Sequence, residues 1–150
     1  MNDLEFVRKA VKLSEKSINE GGFPVGALIV LNNKIIGEGI SNGKKLKDAT
    51  SHAEIDAIRK ASLKIEDRDL NGATLYSSLE PCLMCFSACY WAKVSKIVYA
   101  CRKEILSKLY YEGLHDLNEI NKKNNSQINL IHLEEMEEEA LSIINSSGIN

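Results

Sequence analysis

"ATLYSSLEPCLMCFSACYWAKVSKIVYAC", residues 73–101, carries the reading of the fold. Its first part, "ATLYSSLE" (73–80), is a short mostly apolar run of strand length. "PCLMCFSACYWAKV" (81–94) reads as a helix, with Pro81 near its start, where a missing amide proton costs little. "KIVYAC" (96–101) is a second strand. Upstream, Leu4, Val7, Val11 and Ile18 fall at helical spacing over 3–20, and Gly21-Gly22 ends that helix. Pro24 leads into "VGALIVLNNKIIGEGIS" (25–41), two apolar runs around Asn32-Asn33, a hairpin signal. Residues 41–50, "SNGKKLKDAT", read as a polar loop, and a helix runs from 52 to about 63. Downstream, 103–123 is a broken helical stretch and 121–127 a loop. A short strand follows at 128–133, and a helix at 134–145 turns Met136, Ala140, Leu141 and Ile144 inward. No repeat or linker interrupts this order. The alternation predicts one α/β domain over 1–150, with three α/β/α layers around a central mixed sheet of about five strands.

The totals narrow the function classes. The 150 residues are 44% apolar and 27% charged, with a net charge of −2. A protein built to hold a polyanion usually shows a basic excess, and this chain has none. The opening "MNDLEFVRKAVKL" has no apolar run of signal-peptide type, and no stretch approaches the roughly 20 apolar residues of a membrane span. The expectation is a soluble, cytoplasmic protein without membrane partners. In that setting four cysteines are thiols or metal ligands rather than a disulfide framework.

"EPCLMC" (80–85) is the strongest local signal. Cys82 and Cys85 are spaced as redox or metal-chelating pairs are. A structural zinc site would need four protein ligands, and Cys89 and Cys101 are poorly placed to complete one. His52 shifts the balance. One histidine and two cysteines make three ligands and leave a fourth position open, the pattern of a catalytic zinc. Both ligand groups start helices, where positive dipole ends favour thiolates. "SHAEIDAIRK" (51–60) then poses a question about Glu54. With Ser51 as N-cap, Glu54 would close a capping box. With a metal at His52, its carboxylate is free to move protons.

His52-Ala53-Glu54 followed by Pro81-Cys82-Leu83-Met84-Cys85 resembles the zinc deaminase signature of the cytidine deaminase superfamily. Within it, the chain looks like the branch of guanine deaminase, cytosine deaminase and tRNA adenosine deaminase. "ACYWAKVSKIVYA" (88–100) is most similar to the guanine deaminases, whereas tRNA deaminases tend to carry a His-Ser pair there. The resemblance implies one zinc held by His52, Cys82 and Cys85, and Glu54 as the catalytic proton carrier. It also implies a substrate contact from the Ala53 backbone and a homodimer. The implied reaction is hydrolytic deamination of a small nucleobase or nucleoside with release of ammonia, guanine first and cytosine or another base next. The alternatives are adenosine-to-inosine deamination in tRNA and a non-catalytic zinc-binding protein of the same fold. Relatives usually place an asparagine two residues after the glycine ending the second strand. Here Ser41 holds that slot after Gly39, and Asn42 comes one position late, so a shifted loop is expected to bring Asn42 to the substrate. Guanine deaminases often carry a bulky aromatic where this chain has Val25. They also use an acidic group from the C-terminal third, to which Glu112 roughly corresponds, although a solvated helix residue is the simpler reading of Glu112.

Other features read as structural. "GKKLK" (43–47) is a solvated loop and "EEMEEE" (134–139) the wet side of the last helix. Tyr90 and Trp91 lie at helical positions facing a strand or a partner, with core packing as the default expectation, and Cys89 and Cys101 are expected to be buried small apolar residues. His115 and His132 have no ligand-like neighbours in sequence.

Overall fold

The hairpin places the first two strands. In the computed structural model, which describes residues 1–110 and 112–149, β1 (Gly26–Leu31) and β2 (Lys34–Ile40) pair antiparallel. Tyr111, within the stretch expected to be broken helix, and Asn150 lie outside the described residues. Asn32 and Asn33 both adopt left-handed backbone, φ 49° and 61°, as a two-residue turn matched to strand twist requires. Preceding them, α1 (Asp3–Asn19) starts on a capping box in which the Asn2 side chain and Glu5 bond each other's backbone amides.

β3 (Thr74–Leu79) pairs antiparallel with β1, β4 (Lys96–Cys101) parallel with β3, and β5 (Asn129–His132) parallel with β4. Among the described residues the sheet has five strands in the order β2-β1-β3-β4-β5. The remaining α-helices among the described residues are α2 (Gly43–Leu46), α3 (Ala53–Ile65), α4 (Leu83–Trp91), α5 (Leu117–Lys123) and α6 (Glu137–Ser146), with 3-10 turns at Lys103–Leu109 and Glu134–Met136. Strand side chains alternate between two cores. Leu28, Tyr76 and Val98 meet Val7 and Val11 of α1 and Ala140 and Ile144 of α6. Ala27, Ile29, Leu75 and Ile97 meet Ala53 and Ala57 of α3, Phe86 and Cys89 of α4 and Leu117 of α5. Helices therefore cover both faces, giving the expected three layers. No helix among the described residues is long and apolar enough to cross a membrane.

α3 sits unusually close to β2. A Cβ at Gly37 would come within 2.3 Å of the Ala57 carbonyl oxygen, and one at Gly39 within 2.0 Å of the Ala53 carbonyl oxygen. Only hydrogen at these two positions lets the start of α3 rest on the sheet.

Three local expectations are corrected. The loop at 41–50 contains the helical turn α2, ended by Lys47 at φ 53°. Trp91 is 85% exposed. The buried side of α4 is Cys85, Phe86 and Cys89, and a residue two positions past Cys89 points away from it. Tyr90 is partly buried against the second core. Ser51 is not the N-cap of α3, because the helix starts one residue later, on His52. The Ser51 amide instead donates to the Asp48 carbonyl. Cys89 and Cys101 are wholly buried, as expected.

Candidate active site

His52 and Cys82 occupy equivalent places. Each is the residue preceding the first helical turn, His52 for α3 and Cys82 for α4, with extended backbone at φ −68° and no side-chain cap of its own. Each side chain is thus free to turn away from its helix. Cys85 lies in the first turn of α4 and is buried. His52 Nδ1 lies 3.5 Å from Cys82 Sγ and 3.6 Å from Cys85 Sγ. All three ligand atoms fall within 4.8 Å of one another. A tetrahedral zinc, with bonds of about 2.3 Å to sulfur and 2.0–2.1 Å to nitrogen, separates its N and S ligands by about 3.5–3.6 Å. The donor set and spacing therefore fit zinc. Among the described residues, this is the group of histidine, cysteine and carboxylate side chains that could hold a metal.

Glu54 settles its own question. Its carboxylate does not reach back to the Ser51 amide. Oε1 lies 3.2 Å from Ser77 Oγ of β3, and Oε2 lies 3.4 Å from Cys85 Sγ. Glu54 is 4% exposed, and burial, reinforced by the nearby Cys82 sulfur, raises its pKa above the usual carboxylate range. The Cys82 thiol is pulled down to about 4, first by the Cys85 thiol it accepts from and then by His52. The His52 ring is shifted up, chiefly by its contact with Cys82.

A cavity of about 190 Å³ opens onto this cluster. His52, Ala53, Glu54 and Cys82 line it, with Phe23, Ser41, Tyr110 and Glu112 among its other walls. Ala53 stands in the first turn of α3, where backbone amides have no intrahelical acceptor. Asn42 does not line the cavity. It faces a separate polar cleft with Lys16 and Glu38, and its backbone is held by Ser51 and Leu46. The cause is a clamp at the end of β2. The Ile40 amide donates to Asp56 Oδ2 at 3.1 Å and the Ser41 amide to Ser17 Oγ at 3.1 Å. With these two residues fixed, Ser41 lines the cavity and Asn42 falls outside it.

Glu112 is no solvated helix residue. Its Oε1 accepts the Leu83 amide at 2.9 Å, so it bonds the first turn of α4 while lining the cavity. His115 Nε2 contacts the Glu112 carbonyl and His132 Nε2 the Ala100 carbonyl, and neither belongs to the ligand cluster. Ser77 was also missed in the sequence reading, though two adjacent serines inside an apolar strand are a signal. Both are buried, and Ser78 Oγ accepts the Gly26 amide at 3.0 Å.

Comparison with known proteins agrees with this geometry. The family described as the cytidine and deoxycytidylate deaminase zinc-binding region matches residues 1–101. The chain is 38% identical over 123 residues to a guanine deaminase of Bacillus subtilis, covering 81% of this chain and 79% of that protein. It is 37% identical over 107 residues to a tRNA-specific adenosine deaminase of Buchnera aphidicola, covering 71% of this chain and 66% of that one. The crystal structure of the Bacillus subtilis guanine deaminase superposes with a TM-score of 0.71 at 32% identity, over 97% of this chain and 93% of that one. NE0047 in complex with 2,6-diaminopurine superposes with a TM-score of 0.86 at 23% identity, over 99% of this chain and 83% of that one, a likeness of fold. The chain belongs to the cytidine and deoxycytidylate deaminase zinc-binding family, as a hydrolytic deaminase in which His52, Cys82 and Cys85 form a candidate zinc site.

Proposed function

We propose that this protein deaminates a free nucleobase, guanine or a close purine relative, with Glu54 as the catalytic proton carrier. The observation that carries the reading is a buried carboxylate, at the wall of a base-sized cavity, beside three convergent zinc ligands. A zinc held by His52, Cys82 and Cys85 supplies Lewis-acid activation of water near neutral pH. Glu54, its proton affinity raised by burial, takes the proton of the attacking water and passes it to a ring nitrogen. It then takes the second proton of that water, from the hydroxyl now on the ring carbon, and delivers it to the amino group, whose bond to the carbon breaks as ammonia leaves. The free amides at the start of α3, with Ala53, are placed to bond the base edge. Glu112 adds a second carboxylate to the cavity, an acceptor suited to the N–H groups of a guanine edge. Glu54→Gln preserves shape and removes the titrating group. It should retain zinc and lose about 10²- to 10⁴-fold in turnover. Ammonia release from guanine, cytosine, adenine, cytidine and deoxycytidylate identifies the substrate, and a fully active Glu54→Gln protein would end the proton-carrier assignment.

The likeness to tRNA-specific adenosine deaminases supports a second reading, and Lys44, Lys45 and Lys47 are exposed in the segment before α3. Inosine formation in tRNA without ammonia release from any small molecule would replace the first reading with this one. We further infer a homodimer. Leu63 of α3 and Trp91 of α4, 78% and 85% exposed, are apolar surface that a second copy would cover. Sedimentation equilibrium showing only monomer would reject it.

A further inference from the structure

Ser77 occupies a place where an apolar side chain would be the ordinary choice. Strand alternation puts it on the face of β3 that carries Leu75, towards α3. Its register partners are Ala27 of β1 and Tyr99 of β4, and it is wholly buried. A hydroxyl so placed destabilises the fold unless it is bonded. Most of the other buried serines bond backbone. Ser14 donates to the Val11 carbonyl, Ser17 donates to the Phe23 carbonyl, and Ser78 accepts the Gly26 amide. Ser51 accepts from the Arg59 guanidinium. Ser77 meets a carboxylate. Its Oγ lies 3.2 Å from Glu54 Oε1, 2.7 Å from the Leu79 carbonyl oxygen and 3.4 Å from the Leu79 amide nitrogen. Leu79 lines the cavity and runs directly into Glu80-Pro81-Cys82. That segment is itself held. The Glu80 amide donates to the Cys101 carbonyl at 2.8 Å, and the Glu80 carbonyl accepts the Tyr110 hydroxyl at 2.7 Å. One hydroxyl therefore joins the Glu54 carboxylate of α3 to the strand end that presents Cys82.

We propose that Ser77 is a positioning residue for the deamination, holding the Glu54 carboxylate in the orientation from which it reaches the attacking water. The inference rests on the proton-carrier reading of Glu54 above. A proton carrier must stand within hydrogen-bond reach of the atom it serves. A glutamate side chain has three rotatable bonds, and bonds to a rigid element are what fix such a group. Ser77 supplies one from the centre of the sheet, since β3 lies between β1 and β4. It meets Oε1, while Oε2 faces Cys85 Sγ at 3.4 Å, so the two contacts together set the plane of the carboxylate.

The test uses the zinc-loaded full chain and whichever base the wild type turns over. Ser77→Ala should lower kcat by about 10- to 100-fold, the scale of one hydrogen bond to a charged group. KM should stay within about threefold and zinc content should be unchanged, because the side chain touches neither the cavity nor the ligand cluster. Ser77→Thr keeps the hydroxyl and should recover most of the loss. In a Glu54→Gln background, Ser77→Ala should cost less than about threefold more, since Ser77 acts through that carboxylate. Crystal structures of the zinc-loaded wild type and Ser77→Ala give a second readout. The Glu54 carboxylate should be turned or disordered in the variant, with His52, Cys82 and Cys85 in place. Wild-type kcat in Ser77→Ala, a loss carried by KM, an equal further loss in the Glu54→Gln background, or an unmoved Glu54 carboxylate would each overturn the proposal. If the wild type releases ammonia from no base, the deaminase reading fails, and the crystallographic comparison alone decides whether Ser77 positions Glu54.

Discussion

Gly39→Ala tests how the sheet positions the metal ligands. The added Cβ would lie 2.0 Å from the Ala53 carbonyl oxygen and 2.5 Å from the Ala57 amide nitrogen. Ordinary contact begins near 3.4 Å, so the first overlap is about 1.4 Å deep. Both partners are backbone atoms in the first two turns of α3, and no side-chain rotation relieves either. The start of α3 must lift from β2, and with it His52, its capping residue. Overpacking of this kind costs typically 1–3 kcal/mol, and a backbone clash belongs at the upper end. At about 2–4 °C per kcal/mol for a chain of this size, Tm should fall by roughly 6–12 °C. Metal sites tolerate ligand displacements of only about 0.2 Å, so zinc affinity should fall as well. Gly37→Ala is the control. Its Cβ would strike Ala57 and Ala61, further along α3 from His52, so it should lower Tm while sparing more of the zinc affinity. Scanning calorimetry gives Tm, and competition with a chromogenic chelator gives the zinc constant. A Gly39→Ala protein with wild-type Tm and zinc affinity would refute the close packing of α3 on β2 as the device that sets His52.

Three further outcomes are expected. Cys82→Ala should purify without stoichiometric zinc and without deaminase activity; a metal-replete, active variant would overturn the ligand assignment. Glu112→Gln keeps an oxygen for the Leu83 amide but removes the charge, so it should retain zinc and lose about tenfold or more in kcat/KM for guanine, the scale of a hydrogen bond to a charged group. Glu137 is held below the usual carboxylate range, first by its hydrogen bonds from Arg102, whose Nε and Nη2 both lie 2.9 Å from its oxygens. A folded-state pKa below the unfolded one contributes stability above the unfolded value of about 4.5, and that contribution vanishes as pH falls through the folded value. The Tm gap between wild type and Glu137→Gln should accordingly be full at pH 6 and shrink steadily below pH 4.5; a gap unchanged down to pH 3 would refute the linkage.

The parts of the fold legible in sequence are those written in local pattern. Asn32-Asn33 between two apolar runs specified the hairpin because few residue pairs accept two successive positive φ angles. The spacing of Cys82 and Cys85, with His52 starting another helix, specified the cluster because each is fixed by its place at a helix start. The misses share a different cause. Asn42 and Ser41 differ by one position, and which of them lines the cavity is decided by the bonds that the Ile40 and Ser41 amides donate to Asp56 and Ser17, residues distant in sequence. Glu112 sits in a stretch without periodicity and reaches α4 through a single backbone amide. The helical pattern of α4 does not by itself tell which side meets the sheet; with Cys89 on the buried side, Trp91 two residues on points outward. The parallel pairing of β5 on β4 is a long-range choice that strand composition does not record.

The distribution of charge explains why Glu54 is unlike the other acidic groups near the sheet. Asp3 is paired with Lys96, Asp56 with Lys60, Glu80 with Lys103 and Glu137 with Arg102. Glu54 is buried beside a hydroxyl and a thiol, with no lysine or arginine ion pair among the described residues. A carboxylate so placed destabilises a fold unless it is protonated or meets a positive charge. A divalent ion, if held by His52, Cys82 and Cys85, would bring two positive charges against two thiolates beside this carboxylate. Ionisation of Glu54 and loading of that site would then be coupled, each favouring the other. The same coupling would suit the carboxylate to the proposed role of holding a proton at one stage of the reaction and releasing it at the next, which a carboxylate locked to a lysine cannot do.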